Sequence, residues 1–121
     1  RSMRLVATLC LGFIAGQAAA DTAVIEKVEA VKSGATWRFE VTLRHGDTGA
    51  HYVDAFRVLD TDGNVLGTRV LLHSHENEQP FTRSLMGVAL PEGTDVVQVE
   101  SRDTTTGWSG NLQDVQLTPD G

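Results

Sequence analysis

The sequence predicts an all-β protein: a seven-stranded antiparallel two-sheet sandwich that follows an N-terminal signal peptide. Three observations predict it. Strict apolar–polar alternation runs through "TWRFEVTLRH", turn residues punctuate the chain between short apolar stretches, and nothing after residue 20 has a sustained 3.6-residue apolar stripe. Short strands without a helix to cover them can bury their apolar sides only against a second sheet.

Residues 1–20 stand apart from this pattern. Arg1 and Arg4 flank Met3, an apolar run follows from Leu5 to Ala15, and Ala18, Ala19 and Ala20 precede Asp21. A basic head, a short apolar core and an A-x-A exit describe a secretory leader, and the run is too short for a stable bilayer anchor. Cys10 lies within the apolar run, whereas a lipidated cysteine must directly follow the cleavage site. Cleavage after Ala20 would therefore leave residues 21–121 as one domain without cysteine, stabilised by its core and not by disulfides. About one hundred residues suffice for such a core.

Loss of Arg1 and Arg4 would take the net charge from -6 to -8. An acidic surface disfavours nucleic acid and anionic membrane, both of which reward Lys and Arg. The expected partners are a metal ion and another periplasmic protein, with no membrane insertion after cleavage.

The strands read in order as follows. "TAVIEKVEAVKSG" is an edge strand with slipped alternation near Val28, where a bulge would fit; a helix is the local alternative. "TWRFEVTLRH" puts Trp37, Phe39, Val41 and Leu43 on one face. "YVDAFRVLDTDGNVLGTRVLLH" is a hairpin turning at Asp62-Gly63-Asn64. A calcium loop is the competing reading, but Val65 stands where that pattern requires glycine. "PFTRSLMGVAL" is a strand with a bulge at Gly87, and "DVVQVESRD" turns Val97, Val99 and Ser101 inward. "TTTGWSG" is a loop, and "NLQDVQLT" closes the domain with Leu112, Val115 and Leu117.

The tryptophan of "WRFEV" and the "LPEGTDVVQVES" stretch resemble a fibronectin type III domain, within the broader immunoglobulin-like class of sandwiches. That resemblance implies a core Trp37 on the second strand. It departs at the corner tyrosine, where this chain has Val96 or Val97. A second resemblance, of "HSHENEQPFTRSLMGV" and "GWSG" to a group of small exported bacterial proteins with an H-P-H block, implies export to the periplasm and no particular activity. Ser74 stands in place of the proline.

Alternating strand direction brings three connections to one pole: His45 to His51, His73 to Pro80, and Asp103 to Gly110. All four histidines fall there, with Asp47, Glu76, Glu78 and Asp103 nearby. On an extended backbone His73 and His75 share a face, with Cα atoms about 6.5 to 7 Å apart, close enough for two imidazoles to grip one ion. His45 continues the inward face past Leu43, and His51 begins the next strand across the same loop. Imidazole and carboxylate without thiolate favour Zn(II) or Cu(II). The expected ligands are His73, His75, His51, His45 and Glu76, in a carrier, buffer or sensor. The competing reading is a polar loop of solvated histidines.

Trp108, between Gly107 and Gly110, is either a lid or an exposed anchor, and with Arg83 it defines the alternative function, a module that holds protein or glycan. Arg83 could pair with Glu78 or Asp54. Ser74 and Ser109 lack a nucleophile-elbow context, so no catalytic constellation is expected and the chain reads as a binding protein and not an enzyme.

Overall fold

The computed structural model describes residues 22–117. The leader, its cleavage site and Cys10 lie outside the described residues. Eight strands form: β1 (Val24–Ser33), β2 (Thr36–Arg44), β3 (Val53–Leu59), β4 (Val65–Val70), β5 (Phe81–Val88), β6 (Val96–Asp103), β7 (Gly107–Trp108) and β8 (Gln113–Gln116). One sheet has the order β1-β2-β5; the other runs β4-β3-β6-β7, with β8 also on β6. Every pairing is antiparallel. The result is the all-β, two-sheet sandwich, without helix among the described residues.

The alternation of β2 decides the core. Phe39, Val41 and Leu43 are fully buried and Trp37 nearly so, while the intervening side chains are outward and partly wet. They meet Phe56, Val58, Val97 and Val99 of the facing sheet, with Phe81, Leu85 and Val115 closing the sides. Extra residues fall where alternation slips. β1 is an edge strand whose register shifts between Ile25 and Lys27, and β5 is bulged against β2 near Gly87, whose φ of 71° glycine tolerates without strain.

The β3–β4 hairpin turns where the sequence placed it. Gly63 has a φ of 89°, and the Asp60 carboxylate accepts the amides of Asp62 and Asn64 and the Asn64 side chain. Those bonds, the Asn64 side chain's foremost, hold the Asp60 carboxyl below its ordinary range. The Asp60 carboxylate serves the turn itself.

The expected closing strand forms as β8, and an additional short strand, β7, forms within the stretch read as a loop. β7 pairs Arg102 and Asp103, β8 pairs Val96 to Val99, and between them the chain leaves the ladder. Glu100 accounts for the break: its buried carboxylate accepts the Gly110 amide at 2.8 Å and the Arg57 guanidinium at 2.9 Å, so a side chain replaces a strand partner. "TTTGWSG" is therefore part hairpin and not only loop. Leu112, expected inside, falls in the detour and is exposed.

Trp37→Ala should lower unfolding free energy by about 3 to 5 kcal/mol in urea titration, as truncation of a core aromatic does. Leu72→Ala, at a side chain 82% exposed, should stay within about 0.5 kcal/mol.

Candidate metal centre at the loop pole

β2 ends, β3 begins, β4 ends, β5 begins and β6 ends at the same pole. The inward parity of β2 runs on beyond the strand, so His45 and then Asp47 are buried. β6 does the same, from Val97 through Val99 and Ser101 to buried Asp103. His51 approaches from the start of β3. Threonine 104 fastens these loops together, its amide to the Tyr52 carbonyl at 3.0 Å and its hydroxyl to the Ala50 carbonyl at 2.8 Å.

His45, His51 and Asp103 form the centre: each offers a ligand atom within 4.8 Å of the others. His51 Nε2 lies 3.2 Å from Asp103 Oδ1, and the His45 and His51 rings meet edge to face with centroids 4.9 Å apart. Burial pushes the Asp103 carboxyl up, but the Thr106 hydroxyl and amide, the Thr105 amide and the adjacent His51 together hold it below its ordinary value. It is an anion at neutral pH, inside a wall of donors.

Asp47 organises the rest. Its side chain is wholly buried. Oδ1 receives His45 Nδ1–H at 2.7 Å and the Val53 amide at 3.3 Å, and Oδ2 receives the His75 amide at 2.8 Å. A carboxylate accepts here, so the bond places a proton on His45 Nδ1 and leaves Nε2 on the far side of the ring from Asp47. This is the carboxylate–histidine pairing that fixes tautomer and aim of a metal-binding imidazole.

The other expected ligands are placed differently. His75 is buried and stacked on Phe81, with ring centroids 4.0 Å apart and planes 8° from parallel. Its Nδ1 is buried without a hydrogen bond, 3.7 Å from Asp47 Oδ2. His73 is exposed, its ring 5.0 Å from that of His75. Glu76 is exposed as well, reached by the Ser74 hydroxyl at 3.4 Å. Neither His73, His75 nor Glu76 belongs to the converging group. The turn of this segment, at Glu76 and Asn77, lies beyond the pair, and the two imidazoles do come side by side, but they gather no third ligand atom.

Arg83 binds Glu78 in a two-pronged pair, at 2.9 and 3.3 Å, and Asp54 instead pairs with Arg102. Trp108 is half-buried, with the Arg57 guanidinium 3.8 Å above its ring. Asp47 and Asp103 were legible as acidic neighbours of the pole, and continued parity along β2 and β6 is the signal that marks them as inward. Gln79, which bridges two loops, had no such signal.

The fold and pole thus define a β-sandwich with an imidazole–carboxylate cluster at one end. No protein-family model matches the chain, and no solved structure matches it. It is 44% identical over 78 residues to a protein named "Putative lipoprotein" from Halomicrobium mukohataei, a stretch that covers 64% of this chain and 38% of that protein. The chain therefore spans well under half the length of this relative.

Burial, reinforced by the Arg83 and His73 charges, pushes the His75 imidazole below its ordinary value; Asp47 and Glu78 oppose this more weakly. The unfolded chain then takes up a proton before the folded one does. Stability on this account is whole above about pH 6.5, falls as pH drops below that, and stops falling below the folded-state value. His75→Phe keeps the stack on Phe81 and removes the proton site. Urea titrations should show the variant gaining on wild type as pH falls from about 7.5 to 5; parallel pH curves would contradict the assignment.

Proposed function

We propose that this chain is an exported binding protein that holds one divalent transition metal ion, Zn(II) or Cu(II), through His45, His51 and Asp103. It acts as carrier, buffer or sensor and not as an enzyme. The observation behind this reading is the convergence of two imidazoles and a carboxylate within 4.8 Å, one imidazole already oriented by a buried carboxylate. A tetrahedral zinc ion with bonds of about 2.0 to 2.1 Å separates neighbouring ligand atoms by about 3.3 Å. The His51–Asp103 spacing of 3.2 Å fits that edge without movement. An ion would there replace the proton the two residues now share.

Export is supported by the leader pattern of residues 1–20 and by the name of the relative from Halomicrobium mukohataei. The place of Cys10 within the apolar run favours a released form over a lipid-anchored one. No helix among the described residues is long and apolar enough to cross a membrane. The pairing of β4 with β3 favours the fibronectin-like reading over an immunoglobulin constant-type sandwich, whose fourth strand joins the opposite sheet. The alternative, a module binding protein or glycan through Trp108 and Arg83, has less support: Arg57 covers the tryptophan ring and Glu78 occupies Arg83.

Calorimetry at pH 7.5 should find one Zn(II) or Cu(II) per chain, released as pH falls through about 6 when protons compete for imidazole. His45→Ala, His51→Ala and Asp103→Ala should each weaken binding at least about 100-fold, more than loss of an outer-shell partner does. Uptake no tighter than about 10 μM, roughly -7 kcal/mol, would sink the proposal.

A further inference from the structure

The connection between β4 and β5 contains two of the four histidines, yet none of its side chains joins the three converging ligands. What it supplies is support for His45. The Gln79 side chain lies between two loops: its Oε1 accepts the His45 amide at 3.0 Å, and its Nε2 donates to the His75 carbonyl at 2.8 Å. From the same His75 peptide unit's neighbour, the His75 amide donates to Asp47 Oδ2 at 2.8 Å, and Asp47 Oδ1 receives His45 Nδ1–H at 2.7 Å. These four hydrogen bonds close a circuit from the His45 backbone through Gln79, His75 and Asp47 to the His45 ring. Backbone and imidazole of one ligand are thereby referred to a single residue of another loop.

We propose that Gln79 is a positioning residue of the metal centre, and that the "HSHENEQP" loop serves as its outer shell and not as a second set of ligands. The inference rests on the metal reading above. Three ligand atoms spread over as much as 4.8 Å must draw in toward about 3.3 Å to share a tetrahedral ion. The closing motion is least costly when the remaining freedom of His45 is small. Asp47 holds the ring through Nδ1 and the His45 carbonyl through its own amide at 2.9 Å; Gln79 fixes the amide at the root of the same side chain, just past the last residue of β2. Without Gln79 the His45 amide loses the bond to Oε1, and the loop that delivers the His75 amide to Asp47 loses its second tether. His73 and Glu76 lie outside the circuit.

The test uses the mature chain with Zn(II) for affinity and Co(II) as a coloured substitute whose visible band reports ligand geometry. Gln79→Met, similar in length but without the amide, should weaken Zn(II) binding by about 10- to 100-fold, the range for outer-shell partners, and should shift the Co(II) band. Gln79→Asn, one methylene too short to span both loops, should do the same to a smaller degree and serves if the methionine variant does not fold. His73→Ala and Glu76→Ala should change neither readout. Wild type that binds neither ion removes the metal reading and this inference with it. Wild type that binds, alongside Gln79 variants of unchanged affinity and spectrum, overturns this inference alone, even if those variants are less stable.

Discussion

The buried carboxylate of Asp47 is the constraint on which the loop pole depends. Burying a charge costs several kcal/mol unless donors replace the lost water, and here the donors come from three places in the chain: the His45 ring, the Val53 amide and the His75 amide. Each is held where it is partly because the carboxylate needs it. Removing Asp47 would take this acceptor from all three. Replacing one donor would leave a buried oxygen under-satisfied, so the loops are specified jointly and not one at a time.

That arrangement is possible because the sandwich fixes the strand ends first. β2 and β6 keep inward parity up to the pole, and the apolar residues Leu43 and Val53 are fully buried directly beneath the polar cluster. The cluster therefore sits on a dry floor. Hydrogen bonds there compete with little water, which strengthens those that are made and penalises those that are not. Asp103 shows the balance: burial alone would favour its neutral form, yet donors from Thr105, Thr106 and His51 keep it ionised. Asp60, in an exposed turn with comparable local bonds, has no such floor and no imidazole beside it.

The fold was legible because period-two alternation and turn chemistry are local signals. "TWRFEVTLRH" became a core strand as read, and Asp62-Gly63-Asn64 became a hairpin turn. The extra strand β7 within the loop before the last strand was not legible, since the path there depends on the Glu100 carboxylate capturing the Gly110 amide, a pairing between residues with no sequence pattern in common. At the site, the gathering of histidines at one pole followed from topology, and the burial of His45 followed from parity. Which imidazoles converge did not follow. The spacing of His73 and His75 brought the two rings together, but where that pair would stand relative to His45 and His51 depends on a turning loop anchored by Asp47 and Gln79 from elsewhere. Loop conformation is set by such distant partners, so local spacing is a weaker guide there than in strands.

The location of the cluster also bears on stability. His45 extends β2, in the three-stranded sheet, whereas Asp103 ends β6 and His51 leads into β3, both in the five-stranded sheet. An ion held by all three would bridge the two layers at the end where loops, and not strands, join them. The only cysteine of the sequence is Cys10, outside the described residues, so among the described residues no disulfide can provide that bridge. Ligands drawn from opposite layers converge only once the layers have closed, and binding free energy then adds to folding free energy by mass action. A cluster within one sheet could bind an ion and leave the sandwich indifferent to it. This one, by spanning the interface, would make the occupancy of the site and the closure of the core the same event.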